Sequence, residues 1–235
     1  MRRLECADLS ERGSQVSLAA GALRRHQLVV LPTDTVYAVA CDAFSPLGVE
    51  RLNDAKGRTS VAAIPVMIGS LRALDGIVTG LSPTARELLM GFWPGPLTAL
   101  CHAQPSLVWD LGGEAGAAAQ TVAVRMPLHP VALDLLREVG PMAVIGANRV
   151  GEATPVDCDA AIEQLGDAVT FYLDAGPCVA GPPSSVVDLT GETPRLLRKG
   201  ALSLDVLRQV MPELVDPHDE APLDDQPASD GADGP

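Results

Sequence analysis

The chain has 235 residues, of which 47% are hydrophobic and only 3% aromatic, enough for one sizeable domain with a core of Leu, Val, Ala and Ile. No uninterrupted run of about 18 apolar residues occurs, and the opening Met-Arg-Arg-Leu-Glu-Cys-Ala-Asp has no apolar signal-type segment, so a cytoplasmic protein without a membrane helix is expected. The net charge of −13 is unevenly spread: residues 212–235 hold eight acids and no Lys or Arg, and removing those eight negative charges leaves −5 for residues 1–211, which argues against broad binding to a phosphate backbone.

In chain order, residues 14–25 show helical spacing through Val16, Leu18, Ala19 and Leu23, and 27–31 read as a buried strand. Residues 46–55 form a second predicted helix, which delivers Lys56-Gly57-Arg58 at its end. Residues 64–68 are a strand. Ser82 and Pro83 start a helix that continues through 86–90, as cap and first helical residue. Trp93-Pro94-Gly95-Pro96 is a turn before a strand at 97–101. Residues 104–119 carry Gly112, Gly113 and Gly116 and read as a mobile loop. Strands follow at 121–126, 142–145 and 169–173, with helices at 130–139 and 156–165 between them. Residues 185–189 and 195–198 look like an antiparallel pair joined around Thr190-Gly191-Glu192, and 204–210 are a last helix. Several connections are too short for a crossover helix. The expected fold is therefore α/β, a twisted mixed sheet flanked by helices. Residues 1–211 would form the domain. The Pro- and Asp-rich residues 212–235 would be a disordered acidic tail.

The five cysteines, at 6, 41, 101, 158 and 178, are odd in number and show no Cys-x-x-Cys spacing, which points to reduced thiols. The four histidines are scattered, and no metal site is expected. No Walker-type phosphate loop and no Ser/His/Asp or Cys/His set occurs.

What does recur is polar chemistry at strand ends. Thr33-Asp34-Thr35 follows the apolar run Leu28-Val29-Val30-Leu31-Pro32. Arg125 ends Val122-Ala123-Val124, where a charge needs a partner or a ligand. Asn148 follows another apolar strand, Ser184 and Ser185 precede one, and Arg198-Lys199 end one. Hydroxyls, an amide and cations gathered by one sheet suit an anionic ligand in a central cavity.

In these segments the chain resembles the YrdC-like family of threonylcarbamoyl-AMP synthases, in its short, single-domain form. The resemblance runs in order from about residue 14 to 210. It is carried by Leu31-Pro32-Thr33-Asp34-Thr35-Val36-Tyr37, Lys56-Gly57-Arg58, Phe92-Trp93-Pro94-Gly95-Pro96-Leu97-Thr98, Val122-Ala123-Val124-Arg125, Ala147-Asn148, Ser184-Ser185-Val186-Val187-Asp188 and Leu197-Arg198. It implies a YrdC-like fold and conversion of L-threonine, bicarbonate and ATP to threonylcarbamoyl-AMP, pyrophosphate and water. The product would serve modification of the tRNA adenosine beside the anticodon, with partner transferase proteins downstream and tRNA met at most indirectly. By motif, Thr35, Arg125 and Ser184 would hold threonine. Arg58, Thr121, Asn148 and Arg198 would contact ATP, with Lys56 near the phosphates. Lys56 and Arg58 would offset charge developing on the α-phosphate, with Mg²⁺ on the phosphates.

The chain also departs from the family pattern. Ala38 and Ala40 stand where glycines are usual, Ala62 and Met67 where some members have Asn and His, and Gly146 where Ser is usual. The lost serine hydroxyl leads to the expectation that Gly146→Ser raises threonine affinity. Two alternatives stay open on the residues alone. One is a paralogue forming a carbamoyl-type adenylate from another amine; the other is a non-catalytic nucleotide- or RNA-binding module.

Overall fold

In the computed structural model, residues 1–59, 62–112, 120–179 and 181–217 are described. Eleven strands among them form a single sheet in the order β1-β9-β2-β3-β8-β4-β7-β6-β10-β11, with β5 paired to β6. The strands are β1 Arg2–Glu5, β2 Val29–Pro32, β3 Tyr37–Asp42, β4 Val66–Met67, β5 Val78–Thr79, β6 Leu97–Ala103, β7 Thr121–Arg125, β8 Met142–Gly146, β9 Phe171–Asp174, β10 Ser185–Asp188 and β11 Arg195–Arg198. The helices are α1 Leu9–Leu23, α2 Pro46–Lys56, α3 Leu71–Ile77, α4 Pro83–Phe92, α5 Pro130–Val139, α6 Cys158–Leu165 and α7 Leu204–Arg208. The sheet is mixed: β2–β3, β3–β8 and β6–β7 are antiparallel, whereas β1–β9, β4–β7 and β6–β10 are parallel. No helix of the described residues is long and apolar enough to cross a membrane.

Helix boundaries follow local chemistry. The Asp8 carboxylate accepts from Ser10 N and starts α1 well before the predicted residue 14. Ser45 caps α2 with Pro46 behind it, and Gly57, at φ 64°, ends it in the left-handed conformation that glycine adopts without strain. Ser82, Ser70 and Asp157 cap α4, α3 and α6 in the same way.

Side chains alternate between the two faces of the sheet, and the two faces are covered unequally. One face carries Val30, Tyr37, Val39, Cys41, Ala99 and Val124, and is packed by residues of α2, α3, α4, α6 and α7. The other carries Val29, Leu31, Ala38, Ala40, Met142 and Val144 and is packed by α1 and α5. Those two helices cover the end of the sheet that contains β1, β9, β2 and β3. On the same face, residues of β7, β6 and β10 lie outside that packed cluster.

Several elements differ from expectation. The strand β1 was not foreseen, because Arg-Arg-Leu-Glu buries only Leu4. Tyr37-Ala38-Val39-Ala40-Cys41-Asp42 is the regular strand β3, although Ala is a weak strand former. Ala38 and Ala40 need no glycine, since His26 is the one non-glycine residue with positive φ among the described residues. The predicted strand at 64–68 shrinks to two residues.

Packed and hydrogen-bonded residues continue past residue 211. Leu214 is fully buried at 0% exposure, Val215 N donates to Pro194 O and Leu196 N to Val215 O, and Asp216 pairs with Lys199 at 2.7 Å. Residues 218–235, expected as a disordered tail, lie outside the described residues. So do 113–119, most of the glycine-rich part of the expected loop. Leu214→Ala is predicted to lower the free energy of unfolding by about 2–5 kcal/mol, measured by urea denaturation, because it leaves a cavity beneath β11.

Candidate functional site

A cavity of about 380 Å³ opens on the uncovered part of the sheet. Its floor is made of alternate residues: Ala38 from β3, Val144 and Gly146 from β8, Met67 from β4, Ala123 and Arg125 from β7, Thr98 from β6 and Val186 from β10. Most of these are small or β-branched, which leaves volume above the sheet. The walls come from the loop between β2 and β3, the segment after β8, and the approach to β10.

The loop at 33–36 is held by its own hydroxyl. Thr33 Oγ1 donates to Val36 O at 2.7 Å and accepts from Val36 N at 3.1 Å and Thr35 N at 3.2 Å. This leaves Thr35 facing inward. Arg125 then pins the loop to β7. Its Nη1 donates to Thr35 Oγ1 at 3.1 Å, its Nη2 to Asp34 Oδ1 at 2.8 Å, and its Nε to Gly95 O at 3.1 Å. Gly95 is there because a Cβ would stand 2.4 Å from Phe92 O. Asp34 also accepts from Leu128 N at 3.0 Å. Arg125 is only 6% exposed, and burial lowers its pKa while Asp34 acts against that. Of its five N–H donors, three are used, so one on each terminal nitrogen remains for a ligand.

On the opposite wall, Ser184 Oγ lies 2.8 Å from Thr98 Oγ1, and Arg198 Nη2 donates to Ser184 Oγ at 3.1 Å. Arg198 also donates twice to Ser184 O. Burial first, and then the charge of Arg125, lower the pKa of Arg198. The two guanidinium groups thus sense each other across the cavity, and an anion between them relieves that repulsion.

Thr35, Arg125, Ser184, Asn148 and Arg198, all predicted from sequence, line this cavity together. Lys56, Arg58 and Thr121 do not. Lys56, 4% exposed, stands directly behind Asn148: its ammonium donates to Gly146 O and Asn148 O and lies 3.4 Å from Asn148 Oδ1. Burial, and secondarily the Arg58 charge, pull its pKa from 10.5 to about 8, while the two carbonyls favour the protonated form. Arg58 donates to Asn53 Oδ1 at 3.1 Å and to Ala62 O, which holds it beside α2. Thr121 begins β7 on the same face as Ala123 and Arg125, about 6.6 Å beyond Ala123 along the strand. Thr98, Met67 and Thr154 line the cavity without having been singled out as site residues. Among the described residues, no group of three or more His, Cys, Asp or Glu is placed to hold a metal ion.

An α/β sheet with one face half open, and an anion-suited cavity of two arginines, hydroxyls and an amide on that face, narrows the class. The family model for Sua5, YciO and YrdC, described as "Telomere recombination", matches residues 21–200, and the chain belongs to this family. A Mycobacterium tuberculosis protein that provisionally carries the name threonylcarbamoyl-AMP synthase is 48% identical over 207 residues, covering 88% of this chain and 94% of that protein. The Bacillus subtilis threonylcarbamoyl-AMP synthase is 33% identical over 205 residues, 87% of this chain and 58% of its own length. The structure of Pyrococcus abyssi Sua5 complexed with L-threonine superposes with a TM-score of 0.85 at 31% identity, covering 92% of this chain and 62% of that one.

Two predictions follow from the charges. Asp34→Ala is expected to destabilise the ligand-free protein by about 3–5 kcal/mol in chemical denaturation, because it leaves Arg125 buried without its counter-charge. For Lys56, the unfolded chain binds the proton more tightly than the folded one between pH about 8 and 10.5, so this group makes stability rise with pH across that window. The difference in unfolding free energy between the wild type and Lys56→Met should therefore change from pH 8 to pH 10.5 in favour of the wild type; a pH-independent difference refutes the assignment.

Proposed function

We propose that the protein is an L-threonylcarbamoyladenylate synthase, a nucleotidyltransferase that joins L-threonine, bicarbonate and ATP into threonylcarbamoyl-AMP with release of pyrophosphate and water. The observation that carries this reading is the pairing of Arg125 and Arg198 across a cavity whose hydroxyls, Thr35 and Ser184, each accept from one of them. The relatives' names and the threonine complex of a structural neighbour support it.

In this reading the two unused N–H donors of Arg125 grip the threonine carboxylate. Thr35 and Ser184 meet its polar groups, and Arg198 and Asn148 meet the nucleotide. Carbamate formation joins the threonine nitrogen to the bicarbonate carbon with loss of water. The carbamate oxygen then attacks the α-phosphorus and pyrophosphate leaves. Holding a short-lived carbamate in line with ATP is the main catalytic task, and it is one of positioning. Lys56 and Arg58 approach the phosphates from behind the Asn148 wall, so their role requires side-chain movement when ATP binds. Thr121 would reach the nucleotide only at its outer end. The product would supply tRNA-modifying transferases that act on the adenosine beside the anticodon, in the cytoplasm.

The test is pyrophosphate release by the purified chain with ATP, labelled bicarbonate and a panel of amino acids. Threonine-dependent release is expected. Release with a different amine indicates a paralogous substrate, and ATP binding without release indicates a binding module. Arg125→Lys should raise the KM for threonine about 10- to 150-fold, since it keeps the charge but loses a forked pair of charge-assisted hydrogen bonds. An unchanged KM removes Arg125 from the threonine site.

A further inference from the structure

Gly146 sits on the cavity floor at the end of β8, and the space its missing side chain would take is occupied. A Cβ at this position would stand 2.8 Å from Thr154 Cγ2 and 2.9 Å from Asn148 Oδ1, with Thr154 Oγ1 at 3.3 Å. The first two separations are shorter than real Cβ contacts allow. Thr154 comes from the segment between β8 and α6 and lines the cavity beside Asn148. Its hydroxyl donates to Asn148 Oδ1 at 3.1 Å. The two N–H groups of the Asn148 amide are committed elsewhere, to Arg149 O at 2.9 Å and Glu152 O at 3.0 Å. The amide therefore presents only its oxygen to this wall, where Thr154 and the Lys56 ammonium converge on it.

We infer that Thr154 supplies the hydroxyl of this wall and acts as a positioning residue, holding the Asn148 amide between the cavity and the Lys56 ammonium behind it, and that its side chain is what requires glycine at 146. The ligand's identity rests on the proposed function; the geometry of the network does not. The hydroxyl has one proton and two lone pairs. With the proton on Asn148 Oδ1, it accepts from a ligand donor. Turned toward a ligand oxygen, it releases Asn148 Oδ1 to Lys56 alone. One group thus serves both a neutral and an anionic ligand without backbone movement. The inference reverses the expectation for Gly146→Ser. The new side chain does not add a free hydroxyl to the cavity; it displaces Thr154 and Asn148.

The experiment measures ATP affinity of the full chain by calorimetry, which needs no turnover, for the wild type, T154V, T154S, T154A, G146S and the double variant G146S/T154A. T154V keeps the shape and removes the hydroxyl, and it should lose about three- to tenfold in affinity. T154S retains the hydroxyl and should recover to within about twofold of the wild type. G146S alone should lose about three- to tenfold, and adding T154A should restore most of that loss, because the two positions compete for one volume. T154V binding like the wild type overturns the inference. So does T154S being as weak as T154V, which would make the methyl packing the cause, and so does simple additivity of G146S and T154A. If the wild type binds ATP but releases no pyrophosphate with any amino acid, the proposed function fails while this series still decides the role of Thr154. A wild type that does not bind ATP overturns both.

Discussion

The cavity exists because the two faces of one sheet are covered by different numbers of helices. Five helices bury the face that carries Val30, Val39, Ala99 and Val124, and only α1 and α5 bury part of the other. In a strand the alternation is strict, so the neighbours of Ala38, Thr98 and Ala123 are locked into the opposite core. Arg125 lies between buried Val124 and Met126, and Thr98 between buried Leu97 and Ala99. The site residues can therefore be polar and partly unsatisfied without loosening the strands that carry them. Rigid strands are also what places groups from seven different strands and four connecting segments around one cavity to the accuracy that positioning catalysis needs.

The cavity's charge is arranged for a ligand that brings negative charge. Arg125 has Asp34 as a partner; Arg198 has only neutral oxygens among its hydrogen-bond acceptors, Ser184 O and Ser184 Oγ. The side of the cavity at Arg198 is thus the more electropositive, and the side at Arg125 is already half neutralised. A zwitterion with one carboxylate suits the first arginine, and a polyphosphate suits the second. Under the proposed function, this asymmetry between the two arginines would distinguish the amino-acid end of the cavity from the nucleotide end.

The parts of this design that were legible in the sequence are those written in local runs. Strand ends marked by Pro32, Arg125 and Asn148 stand out because a charge or amide after an apolar run is costly unless it is used. The helix start at Ser82-Pro83 is readable because capping acts within three residues. Lys56 and Arg58 were legible as a pair of cations, but their inward or outward direction was not. It is set by Gly57 and by backbone carbonyls 90 and 92 residues away. Thr154 was invisible for the same reason: nothing in Gly-Glu-Ala-Thr-Pro distinguishes a turn residue from a cavity wall until β8 is folded beside it. Composition changes at residue 211, whereas packing continues to Leu214 and Asp216 and is not visible in composition.

The same distinction explains how the departures from the family pattern should be weighed. A substitution judged along the chain, glycine for serine at 146, looks like the loss of one hydrogen-bonding group. Judged in space, it is one half of an exchange whose other half lies eight residues later on a different segment. The gap at 146 is filled by a side chain that carries the same chemical group, a hydroxyl, and that group is bonded to the Asn148 amide. Ala38 shows the complementary case. It faces Gly146 across the β3–β8 pair and lines the cavity from a regular strand, so its methyl narrows the floor without bending the backbone. In this chain a hydroxyl and the volume at position 146 come from two segments that meet in space rather than from one position.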